Sequence, residues 1–281
     1  PPCRESRSKE PWVVNLYTRP PGGEWEEPRA ILRALESSYS HFQEAMAWGP
    51  DRRTIHLSAR FYDGNPGRGH TVGYMRSRDS GRTWETLSGK RFALPATAET
   101  VDVIAADRAI APPGLRCGAI AVDSENRPYV LYSSFESLPS RAWIATPGEN
   151  GEWRRRPLLD EIAADRPGWG LSMPGGITVD AAGERIVAIL TLIHPAIGDD
   201  EGTWGHPSSE VIAMISRDGG KTFRTRLLSE MDLDTPHWLP NIERPTGHNA
   251  VGAPSVIYTA GTRGENNRQI VSNRVYWTGR M

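Results

Sequence analysis

The sequence predicts an all-β fold, a β-propeller built from four-stranded antiparallel sheets, and three observations support this prediction. The octapeptide SRDSGRTW at 77–84 returns as SRDGGKTF at 216–223, with Ser, Asp, Gly, Thr and an aromatic residue at the same offsets. Paired strand patterns around Gly-rich or Asp-rich turns recur along the chain. The 28 Gly and 23 Pro residues are spread throughout as turn residues, and helical periodicity is thin.

The first kind of repeated unit is a strand, a turn and a second strand that opens on an aromatic residue. Such units cover 17–25, 74–84, 143–153 and 214–223. Their closing aromatics lie 59, 69 and 70 residues apart and are Trp25, Trp84, Trp153 and Phe223. A regular spacing of this kind indicates an architecture in which one small supersecondary unit is repeated.

A second kind of hairpin, with alternating or apolar strands, lies between these units at 45–60, 119–134, 176–194 and 253–261. Two hairpins per repeat form a four-stranded unit, and radial repetition of such units gives propeller blades with short edges. The chain therefore holds about four blades in one domain over residues 1–281. We expect 253–279 and 12–31 to join as one blade that closes the ring. The stretch 29–37 is the one place where the pattern suggests a turn of helix.

The repeated octapeptide has the chemistry of a turn. Its Asp, which is Asp79 in the first copy and Asp218 in the second, is placed to accept hydrogen bonds from backbone amides of the same turn. The Gly tolerates a positive φ, and the final aromatic residue packs into the sheet. We therefore expect both Asp residues to be structural.

Composition argues against several classes of function. A formal net charge of −1 over 281 residues gives no long-range attraction to nucleic acid. The longest apolar runs, such as IVAILTLI at 186–193, have the length of a strand, so no membrane span is expected. Cys3 and Cys117 form neither a disulfide framework nor a metal-binding spacing. Because the sequence starts with Pro-Pro-Cys and has no Met at its first position, we expect processing or truncation.

The octapeptide matches the Asp box of the sialidase superfamily, strictly at 77–84 and with Phe223 in place of Trp in the second copy. The segments 40–48, 117–134 and 243–261 resemble the BNR-4 type of Asp-box protein, a group that includes ulvan lyases and related uronate lyases. This resemblance implies a seven-bladed propeller of which some N-terminal blades are absent here. It also implies an enzyme that acts on an acidic, uronate-containing polysaccharide or oligosaccharide, and suggests a secreted or periplasmic location.

Chemistry in a propeller is expected where the loops that enter and leave the innermost strands converge on the central channel. The residues that enter the expected inner hairpins are His41, Arg116 and His248. Those that leave them are Arg60, Tyr132, His194 and Tyr258, and Arg244 lies just before the last inner strand. Basic and histidine residues dominate this set, which predicts an anionic ligand.

The resemblance assigns roles to some of these residues. Ulvan lyase-like enzymes carry a Tyr where an inner strand begins and an Arg where the second strand ends, and His41 and Arg60 stand at those places. The implied reaction is β-elimination, in which Arg60, helped by Arg116, neutralises the uronate carboxylate. His41 would take the proton, and Tyr132 or His194 would return one to the leaving oxygen. The residues expected to bind substrate are Arg116, Arg244, His248 and Tyr258.

Two other functions remain open at this point. A sialidase-type glycoside hydrolase would use an arginine cluster, offered by Arg60, Arg116 and Arg244, with Tyr258 as the nucleophile. A non-catalytic glycan-binding propeller is the third alternative, because a fold does not fix a function. No cofactor motif and no metal-binding spacing is present, and a structural or substrate-orienting ion held by distant His residues stays open.

Three other histidines are expected to have ordinary structural positions. His56 alternates with Ile55 and Leu57 and is expected on the face of a strand. His70 and His206 lie in Gly-rich and Pro-rich stretches, and we expect them at the surface of loops.

Overall fold

The computed structural model describes residues 10–37, 40–63, 70–107, 114–134, 139–195, 208–232, 234–245, 251–263, 270–279 and 281. In these residues the fold is all-β, and the strands form a two-stranded hairpin, three four-stranded sheets and one three-stranded sheet. Every sheet is antiparallel, and strands that are consecutive in the chain are neighbours in space. The predicted fold class is therefore confirmed.

We call the four larger sheets blades 1 to 4. Blade 1 contains β3 (Ser40–Trp48), β4 (Ile55–Asp63), β5 (His70–Ser77) and β6 (Asp102–Asp107). Blade 2 contains β7 (Leu115–Val122), β8 (Pro128–Ser134), β9 (Arg141–Pro147) and β10 (Trp153–Pro157). Blade 3 contains β11 (Gly170–Val179), β12 (Ile186–Ile193), β13 (Ser209–Ser216) and β14 (Arg224–Leu227). Blade 4 contains β15 (His237–Ile242), β16 (Val256–Arg263) and β17 (Ile270–Thr278), and the hairpin contains β1 (Val13–Leu16) and β2 (Arg29–Arg33).

The blades pack face to face because their middle strands carry apolar residues on both faces. In β12, every second residue of 186–192 belongs to the core between blades 2 and 3, whereas Val187 and Ile189 belong to the core between blades 3 and 4. In β8, Leu131 faces blade 3 and Val130 faces blade 1. Side chains of a strand alternate between its two faces, so a strand buried on both faces reads as one continuous apolar run.

The first strand of blade 1 and that of blade 2 lie side by side at the centre of the molecule. The backbone amide of Cys117, near the start of β7, donates a 3.3 Å hydrogen bond to the side chain of Gln43, near the start of β3. This contact aligns the two strands start to start, as radial repetition of one blade topology requires.

Close contacts at glycines show that the next inner strands are aligned in the same way, β7 with β11 and β11 with β15. A Cβ atom at Gly118 would lie 2.6 Å from the side chain of Pro174, and one at Gly175 would lie 2.5 Å from Pro240. Such close approach of neighbouring inner strands requires residues without a Cβ. The starts of β3, β7, β11 and β15 therefore share one end of the central channel, and their ends share the other.

The hairpin β1–β2 packs on blade 1 and does not join blade 4. Ile31 and Leu32 lie in one core cluster with Trp84, and Leu32 forms a parallel bridge to Ala96. Among the described strands, β17 pairs with β16. The structure thus differs from the expectation that 12–31 completes the last blade, because the apolar side of this hairpin is already buried against blade 1.

The prediction of a helical turn at 29–37 is wrong. Residues 29–33 form strand β2, in which Leu32 pairs with Val14 of β1 across an antiparallel ladder. Tertiary pairing overrides a weak local pattern of this kind. Within the described residues, the helix is α1 (Asp160–Ala163), which is a single turn.

Both octapeptides form the turn that their residues predict. The Asp79 carboxylate accepts hydrogen bonds from the backbone amide of Thr83 at 2.8 Å and from its hydroxyl at 2.7 Å. Ser77 Oγ accepts the amide of Gly81, whose φ is 88°. Trp84 is buried at 1% exposure. The same set of bonds recurs around Asp218, so the two turns are one structural device.

Candidate functional site

The aligned inner strands give the central channel two distinct ends. We call the end at the starts of β3, β7, β11 and β15 the entry end, and the opposite end the exit end. Strand β7 has 8 residues, so its two ends are separated by about 20 Å at the usual rise per residue. Groups at the two ends therefore cannot contact one small ligand together.

Three donors converge on a single carbonyl oxygen at the entry end. The backbone oxygen of Leu115 lies 3.3 Å from Nη1 of Arg60, 3.1 Å from Nη1 of Arg116 and 3.0 Å from Nδ1 of His70. Nη1 of Arg60 also lies 3.3 Å from Nδ1 of His70, so these two side chains contact each other as well as the carbonyl oxygen. Two guanidinium groups held this close together form a strongly cationic, donor-rich site.

Tyr62 lies against Arg60 and is close enough to Arg116 to influence its charge. The guanidinium carbon of Arg60 is 5.8 Å from the centre of the Tyr62 ring, and the ring of His70 meets Tyr62 edge to face at 4.6 Å. Burial lowers the pKa of Arg116, and the electrostatic effect of Tyr62 opposes that shift. Arg60 and His70 are buried, whereas Arg116 and Tyr62 are half-buried. Tyr62 and Arg116 are therefore the members of this cluster that a ligand in the channel reaches first.

His41 belongs to the same end of the channel by its position in the backbone. It is the second residue of β3, and the ladder between β3 and β4 places it opposite Tyr62. Gln43 stands opposite Arg60 in the same ladder. The structure thus brings together the strand positions of three predicted site residues, namely His41, Arg60 and Arg116.

The two residues expected to act as acids also stand near the entry end, since Tyr132 pairs with Cys117 near the start of β7 and His194 follows Ile193, which pairs with Gly170 at the start of β11. Tyr132 is 2% exposed, belongs to the core between blades 1 and 2 and stacks on Trp143 at 5.2 Å. His194 follows β12 in blade 3, where its ring meets Trp169 edge to face at 4.6 Å. The ring contacts described for both residues are with aromatic neighbours, and the backbone amide of His194 donates to Oγ of Ser208 at 3.3 Å.

Blade 4 carries a second polar group at the entry end. His237 is the first residue of β15, and its Nδ1 lies 3.0 Å from Oε2 of Glu210, a carboxylate that is 0% exposed. The backbone amide of Asp232 donates to the other oxygen of Glu210 at 2.8 Å. Tyr258 packs beside His237 and stacks on Tyr276 at 5.2 Å. Burial, followed by the neighbouring Tyr276 and Glu210, raises the pKa of Tyr258.

The remaining predicted residues are not at the entry end or are not described. Arg244 follows the end of β15 and lines a cavity at the exit end, beside Trp48 and Val122. It is therefore remote from Arg60 and Arg116. His248 and His206 lie outside the described residues.

Sequence reasoning assigned no catalytic or substrate-binding role to four polar residues of the entry end. These are Tyr62, His70, Glu210 and His237. His70 was expected at a loop surface because Gly-rich residues precede it, but it begins β5 opposite Tyr62 and is 1% exposed. A position at the start of a strand is the sequence feature that could have identified such residues. His237 has this position, as His41 and Arg116 do.

The prediction that His56 is a structural strand residue is confirmed. Its Nδ1 lies 2.7 Å from the hydroxyl of Tyr74, and its Nε2 lies 3.3 Å from Oδ1 of Asn126. The ring is 0% exposed, and burial lowers its pKa to about 4. His56 therefore stays neutral in the folded protein over the ordinary pH range.

Two features are absent from the described residues. These residues contain no group of three or more His, Cys, Asp or Glu side chains placed to hold a metal ion. They also contain no helix long and apolar enough to cross a membrane.

A known family matches the chain by sequence. The BNR repeat-containing family matches residues 14–161, which is more than half of the chain. The chain belongs to this BNR repeat-containing family. The matched range covers the N-terminal hairpin, blade 1 and blade 2, and so includes the cluster of Arg60, Tyr62, His70 and Arg116. No curated protein matches the BNR repeat chain by sequence.

Solved structures share the fold of the BNR repeat chain. An ulvan lyase of a new polysaccharide lyase family superposes with a TM-score of 0.60 at 14% sequence identity, over 96% of this chain and 59% of that protein. The same similarity holds for a structure of that lyase bound to -[GlcA(1-4)Rha3S]-. A Trypanosoma rangeli sialidase in complex with sialic acid has a TM-score of 0.52 at 12% identity, over 94% of this chain and 38% of the sialidase. The BNR repeat chain thus has the propeller fold of carbohydrate-active enzymes and spans 59% of the lyase's length.

Proposed function

We propose that this protein cleaves an acidic, uronate-containing polysaccharide by β-elimination at the entry end of its channel. The observation that carries the proposal is the convergence of Arg60, Arg116 and His70 on the carbonyl oxygen of Leu115, with the ring of Tyr62 against the guanidinium group of Arg60. A site rich in cationic donors beside a phenol fits a substrate with a carboxylate and a transferable proton.

The arginines would bind the carboxylate of the uronate. The proton on the carbon next to that carboxylate is weakly acidic, and neutralising the negative charge makes its removal easier. A guanidinium fork binds a carboxylate through two parallel hydrogen bonds, which also fixes the orientation of the sugar ring. Half-buried Arg116 makes the direct contact, and buried Arg60 strengthens the positive potential behind it.

Two further groups would transfer protons. His41 takes the proton from the carbon next to the carboxylate, and the electron pair left behind forms a carbon-carbon double bond as the glycosidic carbon-oxygen bond breaks. Tyr62 donates a proton to the leaving oxygen, which becomes the hydroxyl of the released sugar. We assign the acid to Tyr62 in place of Tyr132 and His194, because the ring of Tyr62 lies against Arg60 and Tyr62 stands opposite His41 in the ladder.

The substrate class rests on chemistry and on a structural neighbour. The ulvan lyase that shares the fold is bound to -[GlcA(1-4)Rha3S]-, an oligosaccharide that contains a uronate. Transfer of this substrate class to the present chain is part of the proposal, since the identity between the two proteins is 14%. The cationic entry end of the channel supports the same class independently.

A sialidase-type reaction has less support from the geometry. It would require Arg244 to join Arg60 and Arg116 around one carboxylate, but Arg244 lies at the exit end, about 20 Å away along the inner strands. It would also require a reactive phenolate at Tyr258, whose pKa burial raises. Both features disfavour a phenolate nucleophile beside a three-arginine cluster.

The proposal is tested by initial rates on a glucuronate-containing polysaccharide, followed by the ultraviolet absorbance of the new double bond. We expect Arg116→Gln and Tyr62→Phe each to lower turnover by about 100-fold, because each removes one group that acts in the transition state. The matched controls are Arg154→Gln on the outer strand of blade 2 and Tyr17→Phe near the N-terminal hairpin, both at exposed positions. Turnover by Arg116→Gln and Tyr62→Phe at the rate of these controls would refute the assignment.

A further inference from the structure

We propose that the exit end of the channel is a second binding site, specific for an anionic sugar and independent of the reaction at the entry end. The exit end contains a cavity of about 790 Å³ between the ends of the four inner strands. This volume lies within the range of small-ligand sites, which combine apolar and aromatic walls with a few polar groups. The part of its lining that the structure describes contains one cationic side chain, and this indicates the class of ligand.

Arg244 supplies the charge of the proposed site. Its guanidinium is half-buried, and burial lowers its pKa. Within the described part of the chain, this guanidinium has neither an ion pair nor a hydrogen bond. A partly desolvated cation that lacks a protein partner is costly unless a ligand supplies the opposite charge. The cavity it lines therefore favours an anion.

Among the described residues that line the cavity, the acidic side chain is Glu243, and it bonds to another residue of the lining, Ser255. Oε2 of Glu243 accepts the backbone amide of Ser255 at 3.2 Å, across the ladder that joins the residues after β15 to those before β16. Among the described contacts, none pairs Glu243 with Arg244. The guanidinium thus keeps its charge available for a ligand.

Aromatic walls make a sugar the best-fitting anion. Trp48 at the end of β3 and Trp277 in β17 both line the cavity and are 41% and 68% exposed. Large exposed indole rings beside a polar group suit a ligand with one apolar face and several hydroxyls, as a pyranose ring has. Asn241 and Ser255 add hydrogen-bonding groups to the same lining. A carboxylated sugar satisfies the arginine and the tryptophans together.

The site is tested by the change in tryptophan fluorescence on titration with sodium glucuronate, with glucose as the uncharged comparison. The titration is made in the Arg116→Gln background, which removes the direct carboxylate contact that we assign to the entry end. In this background we expect a saturable change with glucuronate and a much weaker one with glucose. Adding Arg244→Gln should weaken glucuronate binding about tenfold or more, the usual contribution of a charge-assisted hydrogen bond.

The control is addition of Arg154→Gln to the same background, which should leave glucuronate binding unchanged. Trp277→Ala should weaken binding about threefold to tenfold, because the exposed ring is lost without removal of a core side chain. The proposal is overturned if glucuronate gives no saturable change, if glucose binds as well, or if Arg244→Gln behaves as Arg154→Gln does. These outcomes involve no turnover, so they are separate from the test of the lyase reaction.

Discussion

Asp79 and its counterpart Asp218 hold the two Asp-box turns by side-chain hydrogen bonds. We expect Asp79→Asn to lower the free energy of unfolding by about 1–2 kcal/mol, because the carboxylate accepts both the amide and the hydroxyl of Thr83. Burial raises the pKa of Asp79, but the bonds from Thr83 and Ser77 outweigh it and lower the pKa to about 2. The stabilisation is therefore complete above the pKa of an Asp in the unfolded chain, which is near 4. It is lost as the pH falls toward 2.

Urea unfolding of the parent and of Asp79→Asn at several pH values measures this effect. The difference between the two proteins should be largest above about pH 4 and should vanish near pH 2. Turnover should be unaffected at temperatures where both proteins are folded, since the turn lies on the outer part of blade 1. A difference in stability that does not depend on pH would contradict a role for the ionised carboxylate.

His56 makes the free energy of unfolding depend on pH at higher pH values than Asp79 does, between about 4 and 6.5. Burial lowers its pKa from 6.5 to about 4, so the unfolded chain takes up a proton before the folded protein does. The free energy of unfolding should therefore fall by about 3 kcal/mol from this group as the pH drops from 6.5 to 4. In His56→Gln this part of the pH dependence should be absent, while the contribution of the carboxylates remains. Parallel curves for the two proteins would show that His56 is not held neutral.

At the scale of elements, the hairpin β1–β2 contributes to the stability of blade 1. Leu32→Ala should lower the free energy of unfolding by about 3 kcal/mol, because Leu32 is 0% exposed in the core that the hairpin shares with blade 1. Val13→Ala in the same hairpin is the control, since Val13 is 43% exposed. Equal effects of the two changes, measured by urea unfolding, would mean that the hairpin does not pack on blade 1 in solution.

Much of each blade could be predicted from the pattern of its strands. The continuous apolar run of β12 and the two Asp-box turns mark blades 1 and 3 clearly, because burial on both faces and a fixed turn leave strong local signals. Strand β15 was missed. It is short, contains Pro240 and is interrupted by a register shift, so its alternation is weak. The sequence pattern therefore places the inner hairpin of blade 4 too far along the chain, at 253–261. For the same reason it does not place His237 at the start of an inner strand.

The candidate site could be predicted only in part. Arg60 and Arg116 were found because they flank inner strands, which is a property of sequence position. Their joint contact with Leu115, and the involvement of His70 and Tyr62, depend on how blade 1 packs against blade 2. Contacts between residues so far apart in the chain arise from tertiary packing and leave no local pattern.

The whole molecule has a channel whose two ends carry different cationic groups. Arg60 and Arg116 lie at the entry end, near the side chains that we propose to transfer protons, and Arg244 lies at the exit end in a cavity that Trp48 and Trp277 also line. The sequence is almost neutral in total, at a formal net charge of −1, so attraction of an acidic polymer would depend on these local groups. This arrangement separates the proposed chemistry from the proposed sugar site.

The central claim is that the entry end performs elimination, and the mass of the products tests it most directly. The protein is incubated with a glucuronate-containing polysaccharide, and the released oligosaccharides are analysed by mass spectrometry. We predict products whose non-reducing end lacks one water relative to a hydrolysed sugar and carries the double bond, and we predict that Arg116→Gln forms them at least about 100-fold more slowly. Products with the full water, or a polymer left uncut by the parent protein, would contradict the account.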